Sequence, residues 1–209
     1  MQKTKIGGNK MFIVGVNGSP NKEGNTAYLL NKILENINSQ GADTTILNAG
    51  ELLESCENKF CVACSSPCSG VCYEGTKLEE AFEILKKADG IILGSPVYFG
   101  TVSAQLKAFF DKTRKLRTNK ELYNKVGAGV TVAASKYGGQ ETTIRAIHDI
   151  LLVHGMMIIG DGYIDADCGH YGVCAHRPSD TDENADKRYQ VLTKRMIEVC
   201  EDTMKLRQK

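Results

Sequence analysis

Apolar residues along this chain fall into short continuous runs, separated by stretches in which they recur every three or four positions. The first run, Met11 to Asn17 (MFIVGVN), is rich in β-branched residues and ends in the turn residues GSPNKEGN, which predicts a strand followed by a loop. Leu30, Ile33, Leu34 and Ile37 then share one helical face. Thr44 to Ala49 (TTILNA) predicts a second strand, and Leu78, Ala81, Phe82 and Leu85 mark another helix. That helix leads into GIILGSP, Gly90 to Pro96, a run apolar enough for a strand buried on both faces. A helix with Leu106, Phe109, Phe110 and Thr113 on one side comes next, then a strand from Val126 to Ser135. A helix from Glu141 to His154 and a strand from Met156 to Gly162 complete an alternation of five strands and four helices, and Ala185, Tyr189, Leu192, Met196 and Cys200 predict a closing helix.

Alternation of this kind, with fully apolar strands, predicts an α/β fold: a doubly wound, five-stranded parallel sheet in the order 2-1-3-4-5, with helices on both faces. Two stretches lack any hydrophobic period, a cysteine-rich one at about 50–76 and a second at about 164–180. They read as insertions in a single domain, 11–209, preceded by a polar leader, 1–10.

Composition narrows the function. The chain has 26 basic and 25 acidic residues, interspersed, for a net charge of +1, so no broad electrostatic attraction draws it to nucleic acid or to an anionic membrane. Its apolar runs fall well short of the ~20 residues that a membrane-spanning helix needs. The leader MQKTKIGGNK lacks the apolar stretch of a secretory signal, so a cytoplasmic location is expected. In a reducing compartment, clustered cysteines read as metal-binding or catalytic rather than as a disulfide framework.

In such sheets ligands bind beyond the carboxyl ends of the strands, near the switch between the first and third. Three loops converge there. The first, Gly18 to Thr26 (GSPNKEGNT), opens a helix whose unpaired N–H groups favour a phosphate, and Ser19, Asn21, Asn25 and Thr26 add side-chain donors. Neither the Walker spacing with its lysine nor the G-x-G-x-x-G dinucleotide fingerprint is present. That leaves a cradle for one terminal phosphate, as in a mononucleotide such as FMN, or an ordinary capped turn. In the second loop, Pro96, Val97, Tyr98, Phe99 and Gly100 offer aromatic surface and close backbone approach for a flat ring, unless Phe99 packs in the core or at a subunit interface. In the third, Ser135, Gly138 and Gly139 can present backbone polar groups to a ring edge, or form a bare turn.

The cysteines are spaced Cys61-x2-Cys64-x3-Cys68-x3-Cys72, with Cys56 just upstream. A compact run favours an iron-sulfur cluster over structural zinc, which more often uses two separated pairs; redox or disulfide-forming thiols are the second reading and zinc the third. Cys56 is an alternative ligand. Cys168 and Cys174 read as free loop thiols and Cys200 as core; His148 and His154 read as structural or solvated, and His170 and Tyr171 as structural, solvated or substrate-facing.

GSPNKEGNT, GSPVYFGTVSAQLKAFFDK and GGQETT, in that order, resemble the NADPH-dependent FMN reductase family, which is flavodoxin-like, and with the cysteine run the likeness is to the iron-sulfur flavoproteins. The resemblance covers roughly residues 11–162. It implies that Ser19, Asn25 and Thr26 hold the FMN phosphate, that Pro96 through Gly100 line the isoalloxazine, and that Ser135, Gly138 and Gly139 contact its far side. It also implies a 4Fe-4S cluster, although the iron-sulfur flavoproteins usually show one residue fewer between their second and third cysteines and a wider last gap. Homodimers or homotetramers are expected. The resulting expectation is an electron-transfer flavoprotein that takes electrons from ferredoxin or NAD(P)H and reduces a small-molecule acceptor. Two alternatives stand beside it: an NAD(P)H-dependent FMN, quinone or nitro reductase without a cluster, and a zinc-stabilised interaction module on the same scaffold.

Overall fold

The computed structural model describes residues 10–207, so all of the leader except Lys10 lies outside the described residues. Strands β1 (Phe12–Asn17), β2 (Asp43–Asn48), β3 (Gly90–Pro96), β4 (Val126–Ala133) and β5 (Met157–Ile158) form a parallel sheet in the expected order β2-β1-β3-β4-β5. In register, Val16 lies between Leu47 and Leu93, and Leu93 pairs with Gly129.

Helices cover both faces because both faces of the central strands are apolar. On one side α1 (Asn25–Ser39) and α7 (Glu183–Asp202) place Leu30, Ile33, Leu192 and Met196 against Ile92 and Val130. On the other, α3 (Lys77–Lys87), α4 (Ala104–Asp111) and α6 (Gln140–Leu152) place Phe82, Phe109 and Ile147 against Val14, Ile91 and Leu93. Each fully buried side chain of this size contributes roughly 1.5–3 kcal/mol. The phenylalanines meet edge to face, Phe82 with Phe109 at 5.4 Å and Phe109 with Phe110 at 5.3 Å between ring centroids.

Four elements differ from the sequence reading. The first is α2 (Ala49–Glu54), a helix too short to show a period, at the start of the cysteine-rich stretch, which also contains one 3-10 turn, Val71–Tyr73. The second is a break at Lys112: α4 stops at Asp111 and a short α5 (Arg114–Thr118) follows. The third is the fifth strand, only two residues long, with a sixth, β6 (Val173–His176), inside the second irregular stretch. β5 pairs with the first half of β4 (Val126, Gly127) and β6 with the second half (Val130 to Ala133), so two short strands share one edge position. The fourth is a terminal helical turn, α8 (Met204–Arg207).

The excursion between β5 and β6 is pinned by ion pairs. Asp161, 1% exposed, accepts from the His170 backbone N–H at 2.6 Å and from Arg188 Nε, while Arg188 Nη1 reaches Asp167 at 2.9 Å. The Arg188 guanidinium holds Asp167 below the usual carboxylate range. Among the described residues no helix is long and apolar enough to cross a membrane.

Candidate functional site

The carboxyl ends of β1, β3 and β4 deliver the three loops to one edge. Asn17, the buried last residue of β1, accepts from the Ser19 backbone N–H at 3.0 Å and donates to Asn48 Oδ1 at 3.0 Å. Ser19 Oγ accepts from Asn21 N–H at 3.1 Å, and Asn21 Oδ1 from Glu23 N–H at 3.0 Å. The loop is thus held by its own side chains, and the Ser19 hydroxyl proton remains to donate outward. At the start of α1 the N-cap position is Gly24, no side chain caps it, and the first turn carries no acidic residue. Its N–H groups keep the positive end of a 15-residue helix open to an anion.

Thr26 is buried, while Asn25 Oδ1 accepts from the Ser179 backbone N–H at 2.8 Å, tying α1 to the turn before α7. Half of the Asn25 amide is therefore structural.

Gly18 sits where a side chain has no room. A Cβ there would lie 2.6 Å from Leu106 Cβ and 2.9 Å from the Gly94 carbonyl oxygen. Ser103, fully buried, donates to the Gly18 carbonyl oxygen and accepts from Leu106 N–H at 3.1 Å, so it caps α4 and ties the first loop to the second. Ser95 Oγ accepts from the Ser103 backbone N–H at 3.0 Å.

In the second loop Pro96 and Val97 are half-buried, Tyr98 is 45% exposed, and Phe99 is fully exposed with a left-handed backbone, φ +50°. Phe99 is not a core residue. Tyr98 and Thr101 exchange backbone hydrogen bonds at 3.0 and 3.1 Å, making a tight turn that presents the ring.

The third loop touches the second. Gly139, at φ +92°, would place a Cβ 3.3 Å from Gly100 Cα and 3.4 Å from Val97 Cγ1. Buried Gln140 organises this loop: its Oε1 accepts from Gly138 N–H at 2.9 Å, and its Nε2 donates to the carbonyls of Ser135 at 2.8 Å and Ala175 at 3.3 Å. Ser135 is exposed and Gly138 half-buried. Ser103 and Gln140 are the organisers that sequence reasoning missed. Ser103 carries a readable signal, a serine directly before a helical run, whereas the burial of Gln140, whose Nε2 reaches the Ala175 carbonyl of β6, leaves no signal in the chain.

The cysteine loop flanks the same edge. A cavity of about 850 Å³ is lined by Ser19, Asn21 and Glu23 of the first loop together with Lys59, Phe60 and Gln105. A more apolar cavity of about 1090 Å³ brings Cys61 together with Tyr98, Phe99, Val102 and Phe110. None of the eight cysteines forms a disulfide. Cys64 and Cys72 are exposed, Cys61 and Cys68 intermediate, and Cys56 is buried, its Sγ 3.8 Å from Thr76 Oγ1. The four sulfurs are carried by one loop but are not gathered: among the described residues no group of three or more His, Cys, Asp or Glu side chains is close enough to hold a metal ion.

Elsewhere, burial pushes the Cys174 thiol up to about 11 and the Cys200 thiol up to about 12, so both stay protonated and neither is a ready thiolate. Cys168 is a free, exposed loop thiol, and Cys200 is core.

Residues 11–170 match the family described as NADPH-dependent FMN reductase. The chain belongs to the NADPH-dependent FMN reductase family. Membership makes it a flavin-dependent oxidoreductase with FMN as its cofactor. Among its relatives, an iron-sulfur flavoprotein of Methanocaldococcus jannaschii is 44% identical over 169 residues, covering 78% of this chain and 83% of that protein. An iron-sulfur flavoprotein of Methanosarcina thermophila is 36% identical over 201 residues, covering 95% of this chain and all of that protein. Among solved structures, a flavodoxin-class WrbA-like protein from Agrobacterium tumefaciens superposes with a TM-score of 0.66 at 21% identity, over 93% of this chain and 99% of that one, a likeness of fold.

Proposed function

We propose that this FMN reductase family member is an electron-transfer flavoprotein in which FMN at the sheet edge is paired with an iron-sulfur group on the Cys61–Cys72 loop. Electrons come from ferredoxin or NAD(P)H and leave to a small-molecule acceptor. FMN supplies one- and two-electron redox chemistry when bound. The protein's part is placement. The open N-terminus of α1, with Ser19, Asn21, Asn25 and Thr26, receives the phosphate. Pro96 to Gly100 form one wall for the ring, and Ser135, Gly138 and Gly139 meet its other edge.

The observation that carries this reading is that Cys61 lines the same cavity as Tyr98 and Phe99, which sets the cysteine loop beside the ring wall. Four free thiols stand on that one short loop, with Lys112 Nζ 3.6 Å from Cys72 Sγ. Exposed Tyr98, Phe99 and Val153 around that cavity support a homodimeric or homotetrameric assembly. Replacing Cys61 and Cys64 with Ala is expected to abolish iron and acid-labile sulfide in anaerobically purified protein while leaving FMN bound. Unchanged iron would refute their role as ligands.

The spread of the sulfurs favours a second reading, an NAD(P)H-dependent FMN, quinone or nitro reductase without a cluster. It is distinguished by a flavin spectrum that lacks broad cluster absorption and by wild-type protein free of iron.

A further inference from the structure

His176, the last residue of β6, is oriented by a buried carboxylate. Its Nδ1 lies 2.7 Å from Asp182 Oδ2, which also accepts from the His176 backbone N–H at 2.9 Å, while Asp182 Oδ1 caps α7 by accepting from Ala185 N–H at 3.1 Å. Against the opposing effect of burial, those two N–H groups and the imidazole hold the Asp182 carboxyl below the usual carboxylate range. A carboxylate only accepts, so Nδ1 carries hydrogen in either charge state of the ring, and Nε2 is the nitrogen that gains and loses a proton. Nε2 has no protein partner among the described residues, on a side chain that is 39% exposed.

The place of this imidazole gives it a use. His176 lies beside Ala133 in register, at the carboxyl edge of the sheet and at the root of the third loop. Gln140 ties the two together, through the Ala175 carbonyl at 3.3 Å and Gly138 N–H at 2.9 Å. His176 lines a polar cavity of about 600 Å³ that is bounded by Lys136 and Tyr137 of the third loop and Glu141 of α6. The other charged or titratable groups there are Asp161 and exposed His170 of the excursion, Cys174 of β6, and Glu183, Lys187 and Arg188 of α7. Arg188 is engaged by Asp161 and Asp167, and Cys174 stays protonated. Lys136 and Lys187 are matched by Glu141 and Glu183, all four exposed, so the cavity favours a neutral ligand over an ion.

We propose that His176, held by Asp182, is a catalytic acid that protonates a quinone-type acceptor lying in this cavity. The proposal rests on the small-molecule-acceptor reading above. Reduction of a quinone to a hydroquinone takes two electrons and two protons. Both electrons and one proton leave the reduced flavin; the second proton passes from Nε2 to the other carbonyl oxygen, forming its O–H bond, and solvent returns a proton to Nε2. Asp182 is a positioning residue.

The test reduces full-length, FMN-loaded protein anaerobically with stoichiometric dithionite and mixes it with 1,4-naphthoquinone or with ferricyanide, which takes electrons and no proton. His176→Asn keeps a donor toward Asp182 and lacks the second nitrogen. It is expected to lower the ratio of quinone to ferricyanide rates by about 100-fold and to abolish the fall of that ratio with rising pH in wild type. Asp182→Asn is expected to move that fall to lower pH, because an imidazolium without its carboxylate releases its proton more readily. A cap alone would not move it. A readout independent of turnover is the binding of 1-naphthol, a redox-inert phenol, to oxidised wild type, where the Nε2 resonance of His176 should shift saturably. An unchanged ratio in folded, FMN-bound His176→Asn overturns the proposal, as does an Nε2 resonance indifferent to 1-naphthol; an unmoved pH dependence in folded Asp182→Asn overturns the positioning role. Wild type that reduces ferricyanide and not naphthoquinone would instead overturn the quinone acceptor itself, and this proposal with it.

Discussion

The hydroxyl of Ser103 donates to the carbonyl oxygen of Gly18 across 85 residues of sequence, and Ser103 Oγ caps α4 by accepting from Leu106 N–H. One buried side chain thus sets the distance between the candidate phosphate loop and the candidate ring wall. Ser103→Ala is expected to cost about 1–2 kcal/mol through the lost cap and tether. FMN affinity should fall with it. Urea unfolding of the apoprotein and fluorescence titration with FMN check both.

Gly18→Ala acts on the same contact from the other side. Its Cβ, 2.6 Å from Leu106 Cβ, must displace the start of α4 or the first loop. We expect a loss of about 1–3 kcal/mol, the usual cost of overpacking a tight site, and an FMN dissociation constant raised well above wild type. Native-like stability and affinity would show that the two loops are not held this closely.

Arg188 pairs with Asp161, which is 1% exposed, and so fastens the excursion that precedes β6. Removing it strands a buried carboxylate. Arg188→Ala should destabilise the fold by about 3–5 kcal/mol, and amide exchange should accelerate first in Val173–His176. Exchange unchanged in β6 would contradict the clamp.

His154 is 7% exposed, with Nε2 2.9 Å from Thr113 Oγ1. Burial, with a smaller push from Arg117, lowers its pKa to about 4 from the ordinary 6.5. The unfolded chain therefore binds the proton first, between those two values. The stability that neutral His154 provides is complete above pH 6.5 and is lost as pH falls toward 4, about 3 kcal/mol in all. Unfolding free energies at pH 7 and pH 4.5 should differ more in wild type than in His154→Phe; an equal difference would contradict the assignment.

Much of this was readable in the chain because the strands are buried on both faces: GIILGSP and VGAGVTVAAS announce themselves as apolar runs, and the loops between them carry the candidate ligand chemistry. β6 was not, since VCAH is short, flanked by Gly172 and Arg177, and becomes a strand only by pairing with Val130 to Ala133 of β4. α2 is too short for a period to appear. The buried Lys112 stands between Phe110 and Thr113 of the expected helical stripe, and a lysine there carries no sequence signal of burial. The cysteine spacing was legible, but the spatial spread of the sulfurs was not, because the conformation of an irregular loop leaves no periodic trace.

The most direct measurement counts FMN, iron and acid-labile sulfide in a single anaerobic preparation of the folded protein. We expect FMN equimolar with the chain, accompanied by about four iron and about four sulfide, as a cuboidal cluster requires. Folded protein that retains no FMN, or that carries FMN in full and no iron, would contradict a flavin paired with a cysteine-held cluster.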